Sequence, residues 1–207
     1  MRILAASDIH SSNAGARAIR EGIEVHTPDL TVICGDMTHF GPASWARTFL
    51  ESLPGRVLAI PGNCDPPETA AMLEQMGISL HGKAMTIEDD IFIGLGGSSP
   101  TPFRTLYEIS EQEIEETLRP LMRPKAILVT HDAPRGHLDN VPGFGPVGST
   151  SIRKLIDEFT PKFSIFGHLH ENTGIEENVT VYVNTGGGVF GGYAIINTAS
   201  GRATLKA

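Results

Sequence analysis

What the sequence lacks narrows its role first. No stretch of its 207 residues supplies the ~18 consecutive apolar residues that a membrane-spanning helix needs. The N-terminal run RILAASDIH is broken by Asp8 and His10 before a signal-peptide core can form, so neither export nor membrane spanning is expected. Cysteine is scarce: Cys34 and Cys64 alone cannot build a disulfide framework, which points to reduced thiols and a cytoplasmic location. Positive charge is short as well. With 16 Lys and Arg against 24 Asp and Glu, the formal net charge is −8. That excludes holding nucleic acid through a basic coat and leaves it a place only as a substrate. No composition shift, repeat, low-complexity segment or linker divides the chain, so residues 1–207 read as one domain with one large core.

What is present is a rhythm. Apolar runs at Ile3–Ala6, LTVICGD and RVLAIPGN alternate with helix-like stretches over about Ala14–Val25, Ala43–Leu53 and Pro67–Met76, the βαβ signature of a parallel sheet. From Lys83 to Gly96 the pattern is that of a hairpin turning at Asp89 and Asp90. SEQE opens a helix over Ser110–Leu118, with Ser110 and Glu113 spaced for a capping box. AILVTHD and KFSIFGHLH read as buried strands, separated by a Gly- and Pro-rich loop over Ala133–Gly148 and a helix over Thr150–Phe159. The tail from Val179 to Lys206 reads as a β meander. The GLGGSS stretch after one strand is no dinucleotide fingerprint: the third glycine is missing, and Pro100 and Pro102 stand where a helix would start.

Five short motifs each end or follow an expected strand: DIH with Asp8 and His10, GDM with Asp36, GNCD with Asn63 and Asp65, THD with His131, and GHLH with His168 and His170. Singly, each is an ordinary turn or cap. Jointly, two carboxylates, one amide oxygen and four imidazoles at the C-terminal ends of parallel strands form a mixed O/N set large enough for two transition-metal ions. Strand alternation would place Asp8 with His10, and His168 with His170, on common faces, while Ile9 and Leu169 face elsewhere. The glycines before Asp36, Asn63 and His168 suit tight turns or close backbone approach. Two divalent ions, two aspartates and a bridging hydroxide leave roughly one net positive charge facing an anionic phosphate.

The ordered set D-x-H, G-D, G-N-x-D, H, G-H-x-H, running from Asp8 to His170, resembles the calcineurin-like metallophosphoesterases. The resemblance implies an α/β fold, a four-layer α/β/β/α sandwich with a dinuclear site at the sheet ends. It implies that Asp8, His10 and His170 hold one metal, that Asn63, His131 and His168 hold the other, and that Asp36 bridges them. Manganese is favoured, with iron, zinc, nickel and cobalt as alternatives. The implied reaction is hydrolysis of a small-molecule phosphate ester, phosphodiesters favoured, by attack of a metal-bridging hydroxide near Asp36. An oligomer is compatible with this pattern. VNTGG, Val183–Gly187, stands where relatives carry an Asn-Pro-Gly turn and reads as structural.

Many members carry histidine after G-N as the group that protonates the leaving alkoxide. Here that place holds Cys64, a weak donor when neutral and wrongly charged as a thiolate. Either the chain resembles the small bacterial and archaeal phosphodiesterases with a G-N-C-D motif, or His39 or His137 takes over, or the fold is a scaffold without turnover. A nuclease of the same fold is a further alternative. The seven competent ligand positions count against the scaffold. Cys64 itself reads as a small packed thiol. Trp45 reads as a helix anchor, Arg104 and Arg135 as ordinary exposed loop arginines that could grip phosphate, His26 and His81 as surface turns, and Glu111–Glu116 as a solvated helix face. The selecting loops are Thr38–Ser44, Ser98–Leu106 and Pro134–Gly148.

Overall fold

The computed structural model describes residues 1–206. The expected alternation runs through its first part: β1 (Arg2–Ala6), α1 (Asn13–His26), β2 (Leu30–Cys34), α2 (Ala43–Glu51), β3 (Val57–Ile60) and α3 (Glu68–Gln75). There follow β4 (Lys83–Ile87), β5 (Asp90–Leu95), α4 (Glu111–Leu118), β6 (Ile127–Thr130), β7 (Asn140–Val141), β8 (Gly145–Pro146), α5 (Thr150–Phe159) and β9 (Phe163–Phe166). The chain ends in β10 (Gly174–Glu177), β11 (Val181–Asn184), β12 (Tyr193–Asn197) and β13 (Arg202–Lys206).

Two mixed sheets result, ordered β13-β12-β1-β2-β3 and β10-β11-β9-β6-β5-β4. Side-chain alternation along each strand sets the layering. Ile3, Ala5, Val32 and Ile60 from the first sheet meet Phe92, Val129, Phe163 and Ile165 from the second in one apolar core. Leu4, Ala6 and Ile33 face outward against Ile19, Ile23, Phe49 and Leu73 of α1–α3. Ile93, Leu128 and Phe166 face outward against Ile114, Leu118, Ile152 and Leu155 of α4 and α5. This is the four-layer α/β/β/α sandwich.

Local signals place the helices. Ser12 accepts a hydrogen bond from the Gly15 amide to start α1, and Thr27 ends it in the left-handed region. Ser110 and Glu113 form the reciprocal capping box at α4.

Several expectations are corrected. The β4–β5 turn is Glu88–Asp89, and Asp90 already pairs with Ile87. The tail is no meander: β11 runs parallel to β9 in the second sheet, while β12 and β13 form a hairpin in the first. Thr185–Gly192 carries the chain between the sheets, which strand periodicity cannot reveal. The 133–148 loop contains the β7–β8 hairpin. The acidic run is more than a solvated face: Glu111 accepts from Ser149 Oγ, Thr150 N and Ser151 N at the start of α5. Glu115 pairs with Arg119 and Lys154. His81 is no surface turn, since its ring accepts from the Gly96 amide and bonds the Tyr107 hydroxyl. Trp45 stacks on Phe49 against the helix layer, as an anchor should.

Candidate metal centre and its cleft

In the first sheet β1, β2 and β3 are parallel, and so are β5, β6, β9 and β11 in the second. The loops after β1, β2 and β3 leave one edge of the first sheet and those after β6 and β9 one edge of the second, and bonds from His168 N to Asp8 and between His131 and Asn63 join them into one site. Backbone bonds lace them: Asp8 N to Gly35 O, His10 N to Asp36 O, and Gly167 N to His131 O. Strand alternation is not what pairs the ligands, because β1 has ended at Ala6 and β9 at Phe166. Instead Asp8, His10, Asp36 and His168 take positive φ values of 59°, 48°, 50° and 68°, a strained region for such residues that clusters at functional sites. Ile9 does turn away, into the helix-facing cluster of the first sheet; Leu169 packs on the second helix layer but also lines the cleft. The glycines are needed for close approach: a Cβ on Gly62 would collide with Asp36 Oδ1, and one on Gly167 with Ser7 Oγ and Asp8 Oδ2. Asn184 of the VNTGG turn donates to Leu169 O and props the chain between the two histidines.

The ligand candidates meet. His170 Nε2 lies 3.2 Å from Asp8 Oδ1 and 3.2 Å from His10 Nε2, and the donor atoms of all three lie within 4.8 Å of one another. His131 Nε2 stands 2.7 Å from Asn63 Oδ1 and 3.5 Å from Asp36 Oδ1, while Asp36 Oδ2 is 3.8 Å from His10 Nε2. The His168 ring is 5.1 Å from that of His131, and its backbone N–H donates to Asp8 Oδ2. His131 directs Nδ1 at the Cys34 carbonyl, 2.8 Å away, leaving Nε2 for the site, the usual orientation of a metal-binding imidazole. Asp8 and Asp36 are buried. Burial opposes their charge, but the neighbouring His170 and His131 hold both carboxyls below the usual range. Burial lowers the His10 and His168 imidazoles. Two imidazole Nε2 atoms face each other across two buried carboxylates, and His10 Nδ1 has no partner. Such a donor set fits divalent cations, with carboxylate and imidazole and no thiolate required.

Residues 1–172 match the Calcineurin-like phosphoesterase family. The chain belongs to the calcineurin-like phosphoesterases. An uncharacterized protein of Methanocaldococcus jannaschii is 34% identical over 194 residues, 89% of this chain and 87% of that protein. A Thermus thermophilus structure superposes with a TM-score of 0.75 at 17% identity, covering 99% of this chain and 97% of that one. An archaeal phosphodiesterase superposes with a TM-score of 0.63 at 17% identity, covering 100% and 99%. Both structures share the fold.

The site opens into a cleft of about 540 Å³ lined by His10, Asp36, Asn63, Cys64, His168 and His170 among others. Cys64 is buried; its amide donates to Asp36 Oδ1 at 2.8 Å. Burial and Asp36 push its thiol pKa up, so it is neutral. His39 is exposed, its ring 5.4 Å from that of His10, with a nitrogen within 4.8 Å of Cys64 Sγ. His137 is engaged elsewhere, 2.6 Å from Glu176 and stacked on Tyr182, and neither Arg104 nor Arg135 lines the cleft. Asp65 is buried behind the site, where it accepts from the amides of Thr38, Gly62 and Met37 and ties the second and third loops together. Burial and Asp36 push its carboxyl up to about 6. Sequence reasoning missed this brace, and also missed the exposed Phe40, Phe103 and Phe144 at the cleft. Their signal was lone aromatics in loops otherwise rich in Gly, Pro and Thr.

Proposed function

We propose that the chain is a dinuclear metal-dependent phosphoesterase of the cytoplasm that hydrolyses small-molecule phosphate esters and favours phosphodiesters. One observation carries this reading: the two oxygens of Asp36 face different imidazoles, Oδ1 toward His131 and Oδ2 toward His10, which puts this carboxylate between the two groups of candidate ligands. In this assignment Asp8, His10 and His170 hold one ion, and Asn63, His131 and His168 hold the second. The carboxylates and the Asn63 oxygen suit manganese and the imidazoles suit iron, zinc or nickel; we take manganese first, with iron, zinc, nickel and cobalt as alternatives. Bound there, two divalent ions would supply Lewis-acid charge to the phosphate and lower the pKa of a water between them.

The chain's own groups do the rest. The Cys64 amide fixes Asp36 Oδ1, and the Cys34 carbonyl fixes the His131 tautomer, so neither ligand must reorganise during reaction. Asn63, His131 and His168 would hold the ion that gives the phosphate its Lewis-acid contact. A ring nitrogen of His39, solvent-exposed beside His10, delivers the proton to the departing alkoxide in place of the residue that Cys64 replaces. The similarity to an archaeal phosphodiesterase supports the diester preference.

The test is metal content of the purified protein, followed by turnover of bis-p-nitrophenyl phosphate and p-nitrophenyl phosphate with manganese. Two ions per chain and preferential diester turnover are expected. Asp36→Asn should lose at least one ion and slow hydrolysis by about 10²–10³-fold or more; full activity in that variant would sink the dinuclear assignment. A metal-free, inert protein with a stable partner would make the fold a scaffold, and turnover confined to single-stranded DNA or RNA would make it a nuclease.

A further inference from the structure

We infer that the cleft beside the metal centre is built to hold a flat, uncharged ring on one arm of a phosphodiester, with Phe103 and Phe144 as specificity-determining residues. The inference rests on the phosphoesterase reading and names its substrate class. Phe40, Phe103 and Phe144 are 51%, 85% and 79% exposed, yet they come from three different loops and line the same cleft as His10, Asp36, Asn63 and His168. Single exposed aromatics are ordinary; several around one functional mouth mark a binding surface. Pro100 and Pro102 extend the wall beside the aliphatic Val141, Val147 and Leu169, so five of its apolar side chains are rings. Such surfaces offer broad contact at little conformational cost and match a ring better than a mobile chain.

The loops that present these rings are held in place. Glu108 accepts from Thr101 Oγ1 at 2.6 Å and from both Thr105 N and Thr105 Oγ1 at 2.7 Å, closing the loop around Phe103. The Phe103 amide itself donates to Thr101 Oγ1. At the base of the hairpin that carries Phe144, buried Asp139 accepts from the Gly148 amide at 2.9 Å, and its carbonyl accepts from Val147 N. A wall fixed before the ligand arrives loses less on binding.

Charge sets the other half of the specificity. Among the described residues no Lys or Arg lines the cleft, while Glu171 does. Beyond the ion-bound phosphate there is nothing to neutralise a second one. A polyphosphate or the flanking phosphates of a polynucleotide would face Glu171 without a counter-charge, whereas a neutral aryl arm meets the phenylalanines.

The experiment uses the metal-loaded protein and three diesters that release the same p-nitrophenolate: methyl, phenyl and octyl p-nitrophenyl phosphate. Wild-type kcat/KM for the phenyl ester should exceed that for the methyl ester by at least about tenfold. Phe103→Ala and Phe144→Ala should each cut that ratio severalfold, and the double variant should bring it near the ratio for uncatalysed hydrolysis. Val25→Ala, exposed on α1 far from the cleft, should leave it unmoved. Calorimetry gives a readout without turnover: phenylphosphonate should bind severalfold tighter than methylphosphonate to wild type and lose that advantage in the double variant. A ratio unmoved by both phenylalanine substitutions overturns the inference, as does an octyl ester preferred over the phenyl one. A dimer in sedimentation that the double variant dissociates, with the ratio unmoved, assigns the face to a second copy and also overturns it. If no ester turns over, the phosphoesterase reading fails, and the phosphonate pair alone decides whether the cleft holds a ring.

Discussion

Asn63 can serve a metal only if its amide is turned the right way, and a residue 42 positions on sets that. Asn63 Nδ2 donates to Thr105 Oγ1 at 2.9 Å, which leaves Oδ1 facing His131 Nε2; Thr105 in turn donates to Glu108. Thr105→Val keeps the shape and removes the acceptor. Competition with a chelator should show metal affinity weakened about 10–100-fold, with the metal-free protein as thermally stable as metal-free wild type, and Thr105→Ser should restore binding. Unchanged affinity in the valine variant would mean that the amide is oriented otherwise. The contrast explains what was legible at this scale. Asp8, His10, Asp36, His131, His168 and His170 carry their chemistry in their identity and their place after apolar runs. Thr105 has no such mark, being one hydroxyl among several in its loop until the fold brings it to Asn63. The positive φ values that aim the ligands are likewise invisible, since Asp and His seldom adopt them.

Among the elements, α5 shows how a helix start is shared. Ser149 caps it locally through Ile152 N, while Glu111 at the start of α4 accepts from Ser149 Oγ and the Thr150 and Ser151 amides. Burial works against the Glu111 charge, but these donors outweigh it and hold the carboxyl below the usual glutamate range. The stabilisation is therefore complete above the unfolded value of about 4.3 and is lost as pH falls through the lower folded value. Glu111→Gln should cost roughly 1–2 kcal/mol near neutral pH. The gap between its melting temperature and that of wild type should hold down to about pH 5 and narrow below it; a constant gap would mean that the carboxylate's charge is immaterial. The helices themselves were readable within a residue or two, and α5 to the residue, because capping serines and 3.6-residue periodicity are local. The assignment of β11 to one sheet and of β12 and β13 to the other was not, since alternation tells which side of a strand is buried and never against which sheet.

For the whole molecule, the two sheets supply the site in unequal shares. Asp8, His10, Asp36 and Asn63 follow strands of the first sheet, and His131, His168 and His170 follow strands of the second. The family pattern was legible because one ordered set of motifs spans both halves, yet its mechanical consequence appears only in the sandwich: each proposed ion draws ligands from both sheets, closing the edge where the inter-sheet core ends. Ions that bind this arrangement and not the unfolded chain must stabilise it, by about 2.7 kcal/mol per site at a hundredfold excess over Kd. For a chain of this size that amounts to roughly 5–10 °C in melting temperature per site. Chelation should lower the wild-type melting temperature by at least that much, and manganese should restore it. Asp36→Asn, which weakens the link common to both ions, should start lower and respond less to chelator and to metal. A melting temperature unmoved when chelator strips both ions would show that they do not favour the native state over the unfolded one, and that the edge is closed by the protein's own bonds between the sheets, such as His168 N to Asp8 and Gly97 N to Pro61 O.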